Sequence, residues 1–345
     1  MRQNDKQPCS INCTLSRRFA SLSFFCALCI VYLHTGAALK DGSLGLMVHR
    51  MIRAACRVAI PWFFLSAGYF LAGHMNEVCW WRAEIYKRIK TLLVPFWIWS
   101  TIICLTWVIC AIGIRIMGYS YRGPDAFQWV TPKGLLTVVG LDIFHTIPMM
   151  WFLRTLFILV VMSPVLRKVG WVFVVLYAIY KACYDYIGVD SRALLDGILS
   201  LRGFAYFSTG LWLRFNWRPM SVAVKLSCSI VGWLFLFMSC YCNGVSARVL
   251  DVVMVPLLLV FFFWVSQYVK IHQKITSMSC PLYLIHGVIA YLTSAAFGLL
   301  GHGSGRMGFG CGLISFVAVV VVSICVAVLL SKCFPKFAHV AFGGR

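Results

Sequence analysis

The apolar run "FFCALCIVYLHTGA", residues 24–37, carries a single imidazole, His34, near its far end. A polar ring buried without a partner costs several kcal/mol. Such a ring is either wetted by headgroups or bonded to a neighbouring helix, or it is a base set to take a proton near neutral pH. Other groups pose the same choice. Arg154 falls a turn or two inside "MMWFLRTLFILVVMSP", where an arginine is expensive without an anion or a water-filled cavity. No acid lies at an obviously matching depth. Arg57 opens "RVAIPWFFLSAGYFLAG", where it either snorkels to headgroups or serves a site. Lys87, Arg88 and Lys90 stand at the mouth of the next apolar run, in "YKRIKTLLVPF", as topology signals or as an anion site. In "CPLYLIHG", Tyr283 and His286 share one helix face at i, i+3 spacing, and His286 either packs the bundle or joins its chemistry. Gly68 and Gly73 read as points of close helix contact rather than ligand contacts.

The elements that must position these groups follow from composition. Of 345 residues, 61% are hydrophobic and 12% charged, and the mean hydropathy is +0.86. A soluble domain of this size could not hide so much apolar surface. The expectation is an all-α, polytopic transmembrane helix bundle in the cell inner (cytoplasmic) membrane. Spans need about 20 apolar residues each, and ten runs qualify, at 19–39, 54–73, 92–117, 148–166, 169–188, 201–214, 221–241, 249–267, 279–300 and 311–331; the run at 201–214 is short. They are continuous rather than alternating, which argues against a β-barrel. The first run is too long for a cleaved signal peptide and reads as a signal anchor. The chain divides into a tail at 1–18, a membrane domain at 19–334 and a second tail at 335–345, both tails expected in the cytoplasm.

The net charge of +21 is distributed as topology dictates. With the N-terminus inside, Arg17, Arg18, Arg82, Arg88, Arg167, Lys168, Arg214, Lys225 and Lys270 fall on the inner side, whereas Asp41, Asp125, Asp142, Asp190 and Asp251 fall outside or at the outer boundary. This is the positive-inside pattern. Anionic lipid headgroups are the secondary partners of such charge, and nucleic acid is not expected as a partner. The 16 cysteines lack paired metal-ligand spacing, so no metal is expected; only Cys240 and Cys242 raise redox chemistry. The polar segment 118–147 carries the turn Gly123-Pro124-Asp125 and reads as an interfacial or lid segment. The glycine-rich stretch 298–310 has no preceding strand and no GK[ST], so it reads as a flexible connection.

In order, these patterns resemble the acyltransferase-3 family of integral membrane proteins, known from O-acetylation of surface polysaccharides and related glycans. The resemblance rests on Val31 or Ile30 before His34, on Pro61-Trp62-Phe63-Phe64-Leu65-Ser66-Ala67-Gly68-Tyr69, and on Lys87-Arg88-Ile89-Lys90 before Pro95. Trp151-Phe152-Leu153, Tyr283 to His286 and the ending "FPKFAHVAFGGR" complete it, and it extends over nearly the whole chain. Two positions depart from the family's pattern: Ser23 replaces an early charged residue, and Thr91 replaces a second arginine. The resemblance implies a membrane O-acyltransferase moving an acyl group, acetyl above all, from acyl-CoA to a hydroxyl of a surface or lipid-linked glycan. No bound cofactor is implied; acyl-CoA is the co-substrate. His34 is then the general base, Lys87, Arg88 and Lys90 hold the donor, and Arg57, Arg154, Tyr283 and His286 line the acyl or acceptor path. A transporter or exporter of an acyl group or glycan precursor is the alternative. It calls for acids deep in the spans, and none of the ten acids is expected there. A catalytically dead relative acting as an assembly partner is a third possibility.

Overall fold

The computed structural model describes residues 13–35, 44–77, 79–118, 131–141, 149–187, 195, 200–241, 245–299 and 309–344. Among them there is no strand. The helices are α1 (Cys13–Thr35), α2 (Leu44–Cys56), α3 (Ala59–Ala72), α4 (Trp80–Arg88), α5 (Val94–Ile116), α6 (Pro132–Val139) and α7 (Trp151–Ala182). They continue as α8 (Leu201–Asn216), α9 (Val222–Tyr241), α10 (Val245–Val265), α11 (Gln273–Thr276), α12 (Ser279–Leu299), α13 (Phe309–Cys333) and α14 (Pro335–Ala341). The tail before residue 13, residues 119–130 and 142–148 of the expected lid, and most of the glycine-rich stretch lie outside the described residues, as do Asp41, Asp125, Asp142, Asp190, Asp196 and Cys242.

Among the described residues, eight helical segments are long and apolar enough to cross a membrane, against the ten runs expected. The expected spans 148–166 and 169–188 fall within one continuous helix, α7. Arg167 and Lys168, expected on the inner side between two spans, lie within it, and both are good helix formers; Pro164 is accommodated just before them, with Ser163 Oγ donating to the Val160 carbonyl that the proline leaves without its helical donor. The run at 201–214 does form a helix, α8, of 16 residues, short for a crossing yet buried against its neighbours.

Prolines account for two irregularities. Pro61 has no N–H for the Arg57 carbonyl, and the second expected span breaks there into α2 and α3. Pro95 likewise leaves the Thr91 carbonyl without its helical donor, next to the π-helical turn Ile89–Leu93 that joins α4 to α5.

Small residues set the closest contacts. A Cβ on Gly68 of α3 would run into the Phe207 carbonyl of α8, and one on Gly210 of α8 would run into the Leu65 carbonyl of α3. The two backbones therefore touch, as small residues allow in apolar bundles. The Phe19 ring lies 4.9 Å from Trp62, 5.1 Å from Tyr69 and 5.4 Å from Phe263, tying α1 to α3 and α10. Trp62 Nε1 donates to Ser23 Oγ at 3.0 Å, so the departing residue Ser23 satisfies a buried indole. The end of the chain is packed into the bundle: Trp99 Nε1 donates to the Ala341 carbonyl at 2.9 Å, and the Trp99 and Phe342 rings stack.

The glycine contact makes a direct test. Gly68→Leu is expected to cost about 1–3 kcal/mol through overpacking, read as a lower thermal midpoint in detergent. Gly113→Ala on α5, where a Cβ meets nothing within 4 Å, is the control and should leave the midpoint unchanged or slightly higher.

Candidate active site

His34 occupies the last turn of α1 and is exposed, although the helix behind it is buried through Ile30, Val31 and Tyr32. His286, on α12, is fully buried. The two imidazole centroids are 5.4 Å apart, with the planes tilted by 40°. His286 Nδ1 is hydrogen-bonded to the Tyr283 carbonyl. A carbonyl can only accept, so Nδ1 carries the proton and Nε2 carries the lone pair. That Nε2 is buried and has no hydrogen-bond partner among the described residues. The expected i, i+3 pair thus acts through the backbone of Tyr283 as well as through its ring, whose centroid lies 5.7 Å from His286.

The Tyr283 hydroxyl donates to the Met149 carbonyl. Met149 has φ +76°, a left-handed conformation uncommon for a side chain of this size, and it leads directly into α7. The Phe152 ring packs on Tyr283 at 5.7 Å, and Phe63 of α3 packs on both. Gly287 faces the Met149 sulfur, and a Cβ there would collide with it. The start of α7 is thereby pinned to the histidine-bearing helix.

Arg154 follows two residues after Phe152, is 4% exposed, and points towards α6. Its Nη1 donates to the Gly140 carbonyl at 3.4 Å. Gly140 caps α6 with φ +83°, and any Cβ there would press on Phe96 and on the Arg154 side chain. The expected depth of Arg154 is therefore matched by a helix-terminal carbonyl, a negative dipole end.

The other expected site residues lie apart from the histidines. Arg57, at the α2–α3 break, has Nη1 2.6 Å from Asp251 Oδ1 of α10. Arg88 Nε donates to Glu84 Oε1 at 2.6 Å, and Lys87 Nζ stands 3.8 Å from Glu84 Oε2. Lys90 lies over the Tyr86 ring at 4.3 Å. Glu84 is 5% exposed, a buried acid where none was expected, and the cations three and four residues on make it tolerable. The acid was visible in the sequence at i−4 to Arg88; its burial was not.

Two further groups beside His34 carry a signal that the span reading passed over. Arg53 Nη1 donates to the Leu33 carbonyl, adjacent to His34, at 3.4 Å. The Tyr32 hydroxyl is 2.9 Å from His49 Nδ1. Arg50, Arg53 and Arg57 recur at helical spacing, so α2 offers a basic face near the end of α1. Among the described residues no group of three or more His, Cys, Asp or Glu could hold a metal ion.

The chain matches the acyltransferase-3 family model, described as an acyltransferase domain, over residues 22–332, and it belongs to that family. It is a membrane acyltransferase. No curated protein and no solved structure matches it.

Tyr283→Phe removes the donor to the Met149 carbonyl. The expected loss is about 1 kcal/mol, typical of one net hydrogen bond, measured as a lower thermal midpoint in detergent.

Proposed function

We propose that the protein is an O-acyltransferase that moves an acetyl group from acetyl-CoA to a hydroxyl of a surface or lipid-linked glycan in the inner membrane. The observation that carries this reading is the exposed imidazole of His34 beside the buried imidazole of His286, 5.4 Å away, in a chain of this family. His34 takes the proton from the acceptor hydroxyl. The hydroxyl oxygen attacks the thioester carbonyl, the C–S bond breaks, and the departing thiolate receives the proton. A cation is needed where the carbonyl oxygen becomes negative, and Arg53, bonded to the Leu33 carbonyl next to His34, supplies it. His286, its tautomer set by the Tyr283 carbonyl, keeps a buried Nε2 free to accept a proton-bearing group and stabilises the imidazolium that forms on His34.

Lys87, Arg88 and Lys90 then draw the anionic donor to the cytoplasmic side of the bundle, while Arg57, Arg154 and Tyr283 shape the acyl or acceptor path. Charge asymmetry supports this sidedness. So do the contacts of the chain ends. Arg18 of α1 bonds the Phe263 carbonyl at 2.6 Å, and Phe342 meets Cys280 at the start of α12, which supports grouping both ends with the basic side chains. Glu84, the acid found buried, is neutralised by Arg88 and Lys87 and lends the transporter reading no free coupling group.

The test is acetylation of the host glycan in a deletion strain. His34→Ala is expected to abolish it with normal insertion and expression, and wild-type acetylation by that variant would remove His34 from the chemistry. His286→Gln is expected to lower kcat by roughly 10–100-fold, within the range of general acid–base effects, with little change in KM. Arg154→Lys keeps the charge and loses the planar fork; a clear fall in kcat at an unchanged thermal midpoint is expected.

A further inference from the structure

Charge and position alone do not single out Lys87, Arg88 and Lys90 as the donor's phosphate site, because Glu84 already occupies Arg88 and stands beside Lys87. Another guanidinium at the same end of the bundle has no such partner. Arg214, in the last turn of α8, is 6% exposed. Its Nε and Nη1 are buried and make no hydrogen bond among the described residues. Its guanidinium carbon lies 5.1 Å from the Tyr69 ring centroid, and the Tyr69 hydroxyl is also buried without a partner. Gly73 makes the room: a Cβ there would stand 3.3 Å from Arg214 Nη2. The acids Glu77, Glu84 and Asp251 are each engaged with another basic side chain. A buried charge left in this state costs several kcal/mol unless an anion joins it.

The surroundings indicate which anion. The Tyr69 ring packs edge-on against Trp217 at 6.2 Å, and Trp217 packs on Phe263 at 5.6 Å. Trp217 and Phe263 are walls of a cleft that also holds Arg18 and Lys225. Arg18 lies over the Phe263 ring at 4.1 Å and is fixed by the Phe263 carbonyl. Cations at the rim and a continuous aromatic floor suit a phosphate ester attached to a flat or apolar body. Guanidinium groups bind phosphate through paired N–H donors, and aromatic faces stack on bases.

We propose that Arg214, Arg18 and Lys225, over the floor of Tyr69, Trp217 and Phe263, bind the nucleotide phosphates of the coenzyme A donor. This rests on the acyl-CoA reading above and assigns the donor's nucleotide end to α1, α8, α9 and α10 rather than to α4. The shared chemistry, a phosphate ester beside an apolar body, belongs also to anionic lipid headgroups, so the experiment separates the two.

The full-length protein is purified in dodecyl maltoside, and coenzyme A binding is measured by equilibrium dialysis. Arg214→Gln is expected to weaken binding roughly tenfold or more, and Lys225→Gln roughly threefold, as charge-assisted contacts are lost. Adenosine 3′,5′-bisphosphate is expected to compete, and phosphatidylglycerol is not. An unchanged Kd in folded Arg214→Gln overturns the assignment. If that variant does not fold, an unchanged Kd in Lys225→Gln, half-exposed at the cleft, overturns it instead. Competition by phosphatidylglycerol alone makes this a lipid site and also overturns it. If replacing Lys87, Arg88 and Lys90 together by Gln abolishes binding while Arg214→Gln does not weaken it, the site falls and the acyl-CoA reading stands. If the wild type binds no coenzyme A, both fall.

Discussion

The touching backbones of α3 and α8 hold the histidine pair and the Arg214 cluster in one frame. Gly68 and Gly210 leave no side chain between the helices, so the Phe207 and Leu65 carbonyls approach the opposite main chain. Contacts of this kind fix separation and register together, because any added methyl group must push one backbone away. From that crossing α3 extends in two directions. Phe63 packs on Tyr283 and Phe152 next to the histidines, while Tyr69 and Gly73 pack on Arg214. A shift of α3 would move both sets of contacts at once.

The second constraint is the cost of polar groups in an apolar medium, and the bundle meets it in different ways. Ser23 takes the Trp62 indole N–H, Gly140 offers its carbonyl to Arg154, and Glu84 draws Arg88 and Lys87. Each is a local solution in which a donor finds an acceptor within the fold. His286 Nε2 and two nitrogens of Arg214 stand out because they are buried and find none among the described residues. Unsatisfied buried groups are costly to keep, and a protein that retains them gains where a substrate supplies the missing partner.

These two places lie towards opposite ends of α1. From Arg18 to His34 the helix rises by roughly 24 Å. In the proposed reaction the donor's nucleotide stays at the basic face and its long pantetheine arm carries the thioester into the bundle. Between them lie the packed rings of Tyr69, Phe19 and Trp62, and then those of Phe63, Phe152 and Tyr283.

Much of this was legible in the residues themselves. Apolar runs of spanning length required a helical membrane bundle, and the order of short motifs around His34, Pro61, Arg88 and His286 pointed to the acyltransferase-3 family, which the match over residues 22–332 bears out. The i, i+3 spacing placed Tyr283 with His286, and Gly68 was recognised as a contact glycine, because both follow from helical periodicity alone. The expected spans 148–166 and 169–188 meet inside α7, where Arg167 and Lys168 follow Pro164 without ending the helix, because a proline removes one backbone donor and tertiary packing decides whether the helix continues. Partnerships across the chain were beyond reach. That Asp251 meets Arg57 across 194 positions, that His34 faces His286, and that Arg214 is buried against Tyr69 while Glu84 holds Arg88 all depend on which helices become neighbours. Periodicity fixes which face of a helix is apolar; only tertiary packing decides what that face meets.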